Sequence, residues 1–353
     1  MSKKFVSVLL IVLLSACSGV AKRQDNTKKQ STSSALKMEN VDLNAKDLQE
    51  QWEKEPMYGK KLKVSFEGAL CTSGLGIAQR KGFMSKEGLE GEVINIPNPF
   101  DAIGTGKVEA ITYHISAALV PCLNDLDMVF VRGAQTGCRS LYVLSDSGIN
   151  STKDFENKQI AISGGGIGGH DHNIALRFLF RDKVDWKSVK FKAIDTSATI
   201  QAMKNNEVQG AILSDQFAKK FIDKGELKVI RSITFDVDFK DEPCCVLILN
   251  KTFVEKNPIT AAKLVKSHKE ASCWIEDNKH DAAELLKANS WGSGDVESDF
   301  KFLQTYNFKV SDEQMEKTLI DSINDYKEVG IIDKNIETDK ALSKIWRPVK
   351  FKK

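Results

Sequence analysis

The 353-residue sequence lacks most of the features that would assign it at a glance. It has no block of lysines and arginines with interleaved aromatics, and its net charge of +3 is close to balance. The electrostatic footprint of nucleic-acid binding is therefore missing. There is no Ser/His/Asp arrangement, no HExxH and no Gx4GK[ST] string, which removes the usual signatures of triad hydrolases, zinc proteases and P-loop enzymes. No CxxC pair occurs to anchor a structural metal site. No internal repeat is present. The one long apolar run, Phe5 to Leu14, is too short to cross a bilayer comfortably.

That run follows Lys3-Lys4 and leads into Leu14-Ser15-Ala16-Cys17. A charged start, a short apolar stretch and a small-residue cleavage site describe an export signal over 1–16. Leu-Ser-Ala-Cys resembles the bacterial lipobox, which makes Cys17 the lipid-modified N-terminus after cleavage. Several acyl chains on one residue give stable membrane attachment. The mature chain is expected outside the cytoplasm, held on the cell membrane. Residues 17–56 read as its flexible tether: Ser18 to Asn40 is polar with almost no large apolar residue, and Val41 to Pro56 has the pattern of a short amphipathic helix.

Beyond Cys17 lie Cys71, Cys122, Cys138, Cys244, Cys245 and Cys273. An exported chain with an even thiol count suits disulfides, whereas an anaerobic setting leaves the thiols free as ligands. Spacing does not choose between them.

Period-two and apolar runs predict strands near 61–66, 92–96, 108–112, 128–131, 141–144, 158–163, 189–193, 208–214, 228–233 and 246–250. Helical stretches fall between most of them, and the chain after Asn250 is helical throughout. Alternation at this spacing indicates parallel βαβ units, with a second α/β layer inserted between two halves of the first. In RGAQTGCRSLYV (132–143), a small-residue turn presents Cys138 and Arg139 between two strands. Gly164 to Gly169 follows a strand and opens a helix at Asn173, a setting in which backbone amides favour an anion.

Five stretches carry a resemblance in their order: IAQRKGFMSKEGLEGEVINI, FDAIGTGKVEA, STKDFENKQIAI, IQAMKNNEVQGAILSD and NKTFVEKNPITAAKLV. In that order they resemble the substrate-binding proteins of ABC importers in the nitrate/sulfonate/taurine group, which also includes thiamine-precursor binders. The resemblance covers about 60–340. It implies an α/β, two-lobed periplasmic-binding-protein fold of type II, each lobe a mixed, mostly parallel sheet with helices on both faces, joined by a two-stranded hinge. Lobe 1 is expected over 60–144 plus 245–353 and lobe 2 over 146–240, with crossings near Leu144–Asp146 and Asp241–Cys245. The implied partners are an ABC permease and ATPase and a small solute, bound by a monomer.

Ligands of open α/β sheets bind beyond the carboxyl ends of the strands. That rule selects Cys71, Thr72, Ser73, His114, Thr136, Gly137, Cys138, Arg139, Gly165, His170 and Asp215, to which the hinge adds Cys244 and Cys245. Thiols beside histidines suit copper(I), zinc or iron–sulfur species. The metal-ligand candidates are Cys71, Cys138, Cys244, Cys245 and His170, with the metal or cluster as transported ligand and no resident cofactor. Two other readings stay open: a Cys71–Cys138 disulfide, or a cleft for a small organic anion with Arg139 as its counter-charge. Adjacent cysteines on a strand rarely share one ion, which weighs against Cys244-Cys245. A cysteine-dependent enzyme is disfavoured by the export signal.

Overall fold

The structure is a computed structural model that describes residues 36–66, 68–292 and 294–351. The export signal and Cys17 lie outside the described residues. No helix among the described residues is long and apolar enough to cross a membrane.

Ten strands follow in chain order: β1 (Lys61–Ser65), β2 (Glu90–Ile94), β3 (Ala110–His114), β4 (Met128–Thr136), β5 (Arg139–Leu144), β6 (Gln159–Ile162), β7 (Lys190–Ala193), β8 (Gly210–Ser214), β9 (Leu227–Ser232) and β10 (Pro243–Asn250). They form two five-stranded sheets of the same plan, ordered β2-β1-β3-β10-β4 and β7-β6-β8-β5-β9. In each sheet the first three strands are parallel, and the fourth runs antiparallel to both neighbours. All eight residues of β10 are buried, as its unbroken apolar sequence requires of a central strand.

The first crossing between sheets differs from the expected one. Strand β4 continues to Thr136, so only Gly137-Cys138 separates it from β5. β5 pairs with β8 and β9, which puts 139–144 in the second sheet and moves the crossing from Leu144–Asp146 to Gly137-Cys138. Periodicity finds strands but not their partners, so a strand entering a new sheet is invisible to it. The return path runs through 233–242 into β10.

The segment expected as a tether is folded from Met38 onward. Met38, Val41 and Trp52 are buried, and the Trp52 indole N–H donates to Thr260 Oγ1 at 2.8 Å. Glu55 accepts from the amides of Ile259 (2.6 Å) and Thr260 (2.9 Å), capping the Pro258–Asp277 helix with a negative charge at its positive end. Polar composition hid this because three apolar residues and one carboxylate suffice to dock the strap.

The largest apolar cluster joins Val64 and Val131 of the first sheet to Leu141 and Ile160 of the second and to Phe178 on the helix His170–Arg181, with Cys138 and Cys245 among its members. Cys138, Cys244 and Cys245 therefore sit inside continuous core, and the half-buried Cys71 packs against it.

Candidate functional site: a sealed cluster of thiols

Cys71 lies on a 3-10 turn just after β1, and His114 is the last residue of β3. His114 stands opposite Cys245 in the antiparallel ladder, so both side chains share a face. The His114 Nδ1 to Cys245 Sγ distance is 3.3 Å. Regular alternation would send Cys244 to the other face, but register irregularities flank Cys245 in the pairing of β10 with β4. A bulge re-aims side chains in this way. Cys244 Sγ consequently lies 4.0 Å from Cys245 Sγ and 3.4 Å from His114 Nδ1. The two adjacent thiols thus come to one side of the strand, each beside His114 and each in a different donor trio.

The fourth thiol comes from the crossing. Gly137 (φ 83°) and Cys138 (φ 108°) both take left-handed backbone, an unfavourable state for cysteine. A network holds it there. The Cys138 amide donates to Thr234 Oγ1 (2.8 Å), and its carbonyl accepts from the Asp215 amide (3.1 Å). Thr234 also donates to Asp215, whose carboxylate accepts from Ser140 and Tyr142 at 2.7 Å each. The outcome is a Cys138 Sγ to Cys244 Sγ separation of 3.1 Å. All six described cysteines are free of disulfides.

Two overlapping donor trios result, Cys71–His114–Cys245 and His114–Cys138–Cys244, each with ligand atoms within 4.8 Å of one another. Cys138 and Cys245 are 3% and 0% exposed. The thiols of Cys71 and Cys244 are held well above the ordinary range, first through their hydrogen bonds to Cys138; Cys245 is held there first by burial. Several thiolates cannot share a dry pocket without a cation, so without one they stay protonated. His114 is driven well below the usual imidazole range by burial, then by His170 and Arg139, and is therefore neutral, the form that ligates metals.

An ion-pair layer backs the cluster. Burial acts to lower the Arg139 guanidinium, but Asp171 and the thiols outweigh it and raise it. Asp171 Oδ1 lies 3.2 Å from Arg139 and 3.0 Å from His170 Nε2. Burial pushes the Asp171 carboxyl up, yet Arg139 and His170 hold it well below the carboxylate range. His170 stacks on His114 with ring centroids 4.6 Å apart and belongs to neither donor trio. The Gly164–His170 contact needs a glycine: an added Cβ would stand 1.7 Å from His170 Cε1.

The helix opens at His170, three residues earlier than the sequence suggests, so Asp171 falls in its first turn. Its Oδ2 accepts from Ser163 N (2.9 Å), Ser163 Oγ (2.9 Å) and Gly164 N (2.7 Å). The anion expected at the glycine run is thus supplied by the chain itself, and Gly165 is exposed on the loop. Thr136 bonds to Asn307, Ser73 to the Leu70 carbonyl, and Thr72, whose hydroxyl is buried without a hydrogen-bond partner among the described residues, lines a small cavity with Thr112. Asp215 supports Cys138 from behind.

Two neighbours escaped the sequence reading. Gln135 lies opposite Cys245 in the ladder with both amide atoms buried and without hydrogen-bond partners among the described residues. Tyr306 packs at the crossing, where a Cβ on Gly137 would meet its ring at 3.1 Å. Only the ladder register would have found the first, and nothing local signals the second.

Residues 72–282 match the family model described as NMT1/THI5 like. No protein in the curated set matches the chain. Among solved structures, the periplasmic aliphatic sulphonate binding protein SsuA from Escherichia coli aligns at 14% identity and TM-score 0.66, over 83% of this chain and 94% of that one. The periplasmic nitrate-binding protein NrtA from Synechocystis PCC 6803 aligns at 15% and 0.66, over 81% and 86%. The desulfurization enzyme DSZB aligns at 14% and 0.58, over 80% and 95%, so the fold serves catalysis as well as binding. At these identities the neighbours establish the two-sheet periplasmic-binding-protein fold alone, while the family model spans more than half of the sequence: the chain belongs to the NMT1/THI5-like family.

Proposed function

We propose that this protein is the lipid-anchored extracytoplasmic receptor of an ABC importer and that its solute is a single thiophilic metal ion, copper(I) or zinc, held by up to four ligands drawn from Cys71, Cys138, Cys244, Cys245 and His114. The observation that carries this reading is the convergence of four thiols and a neutral imidazole from distant parts of the chain: Cys138, Cys244, Cys245 and His114 show neighbour separations of 3.1–4.0 Å, and the Cys71 thiol lies within 4.8 Å of the ligand atoms of His114 and Cys245. Zinc–sulfur bonds of about 2.3 Å in a tetrahedron place sulfurs roughly 3.8 Å apart. The cluster is compact enough for one ion and too tight for the bridging sulfides of an iron–sulfur cluster. Metal binding would release protons from the ligating thiols to solvent and replace them with the charge of the ion, +1 for copper(I) or +2 for zinc, shared among the sulfurs. The lipobox and the family's fold support the receptor role. Capture would involve closure of the two sheet-bearing halves about Gly137-Cys138 and 233–242.

A small organic anion, the second reading, has the names of the sulphonate- and nitrate-binding neighbours in its favour. Against it, Arg139 is paired with Asp171, and the cavity touching Cys244 holds about 30 Å³, close to the volume of one water. An enzymatic role has DSZB as a fold precedent but no catalytic motif in this sequence.

Native mass spectrometry of oxygen-free, reduced protein tests the reading. Wild type is expected to take up one copper(I) or zinc ion per chain. Cys138→Ser and Cys244→Ser should weaken it by at least about 100-fold, since even outer-shell changes cost about 10–100-fold. A reduced wild type that binds neither ion would overturn it.

A further inference from the structure

Arg132 has no part in the thiol site. It lies on β4, opposite Leu247 of β10, and is 6% exposed. Among the described residues it makes no ion pair within 4 Å, and its Nε is buried without a hydrogen-bond partner. A buried guanidinium is costly unless its fork of donors is answered by an anion. Burial depresses its pKa, and the more distant Cys273 and Asp312 offset that only in part.

The side chain borders a cavity of about 810 Å³ that also meets Lys269, Lys309, Lys350 and the start of the Asp312–Glu328 helix. A second cavity of about 530 Å³ shares Lys269, Cys273 and Phe351 with the first and continues past Phe83, Leu43 and Val41. The groove is cationic at Arg132 and largely apolar beyond Phe351. Asp312, Glu313 and Glu316 also border the first cavity and would repel a doubly charged head. That combination selects a singly charged head on a hydrocarbon tail.

We infer that this groove, on Arg132 and the Pro258–Asp277 helix, is a second binding site, for an aliphatic carboxylate whose head meets the Arg132 guanidinium and whose tail lies along Phe351 and Phe83. It is separate in residues from the thiol cluster, so its occupancy does not depend on the metal reading. The half-buried Cys273 lines both cavities and reports on the tail.

The probe is octanoate, with inorganic phosphate as the control. Calorimetric titration of reduced wild type should show saturable octanoate binding, at least about tenfold weaker in Arg132→Met, and no comparable phosphate binding. Alkylation of Cys273, followed by peptide mapping in unmodified wild type, should slow by about tenfold at saturating octanoate, a readout independent of whether the variant folds. Binding that Arg132→Met leaves unchanged, or a Cys273 alkylation rate indifferent to octanoate, would overturn the assignment. Repeating the titration on Cys138→Ser should leave octanoate binding unchanged; loss there would place the ligand at the thiols instead.

Discussion

Asp171 shows how one side chain can serve a loop, a cation and a ring together. One of its oxygens holds the Ser163–Gly164 backbone and the other faces Arg139 and His170. Removing its charge leaves Arg139 buried without a counter-ion. Asp171→Asn is therefore expected to cost about 3 kcal/mol at pH 7, read from urea midpoints. The sign of the pH dependence follows from its depressed folded pKa. The stabilisation is fully present above the unfolded carboxylate value of about 4 and is lost as pH falls below it toward the folded one. Wild type and Asp171→Asn should thus converge in stability as the pH drops below about 4. A gap that stays constant from pH 7 to pH 3 would show the charge to be irrelevant. Cys138 makes a different point at the same scale. Its exposed-looking turn in RGAQTGCRSLYV is buried, and the strained φ is maintained by Thr234 and Asp215, residues more than 70 positions away.

Among the elements, the His170–Arg181 helix carries the second half of the fold onto the first. It packs over Ile160 and Ile212 of the second sheet, while the Asp312–Glu328 helix packs on Val246 and Ile248 of the first. Arg177 and Arg181 reach Asp325 (2.8 and 3.0 Å) and Glu242 (2.9 Å each). The quartet is largely shielded from solvent, which sets it apart from surface pairs of negligible worth. A double-mutant cycle on Arg177→Met and Asp325→Asn should give a coupling of about 1–3 kcal/mol, and one below about 0.5 would reduce the quartet to bystanders. Because this helix begins with His170 and Asp171, the same element links that latch to the backing of the thiol cluster.

The whole molecule includes a strap that composition assigned to a linker. Residues from Met38 to Glu55 bury a tryptophan against Thr260 and cap the longest helix of the described residues. Trp52→Ala should destabilise the protein by about 3–5 kcal/mol, measured by chemical unfolding. A change below about 0.5 kcal/mol would return the segment to the status of tether. Strand positions and the order of α/β units were legible in the sequence, since period-two runs and apolar blocks report burial directly. Thiols at strand ends were legible too, through the rule that places ligands there. The sheet that 139–144 joins was not, and neither were the early start of the helix at His170 or the bulge that turns Cys244 and Cys245 to one side.

What the sequence by itself determined is therefore the inventory: which residues lie in strands, which thiols stand at strand ends, and which family the order of motifs resembles. These depend on local patterning, and local patterning is written in consecutive residues. Only the tertiary structure decided that Cys71, Cys138, Cys244, Cys245 and His114 meet, that Asp171 fills the place expected for an anion, and that His170 stands behind His114 and outside the thiol cluster. Those outcomes turn on ladder register, one bulge and a two-residue crossing. Each arises from pairings between distant segments that no local stretch encodes.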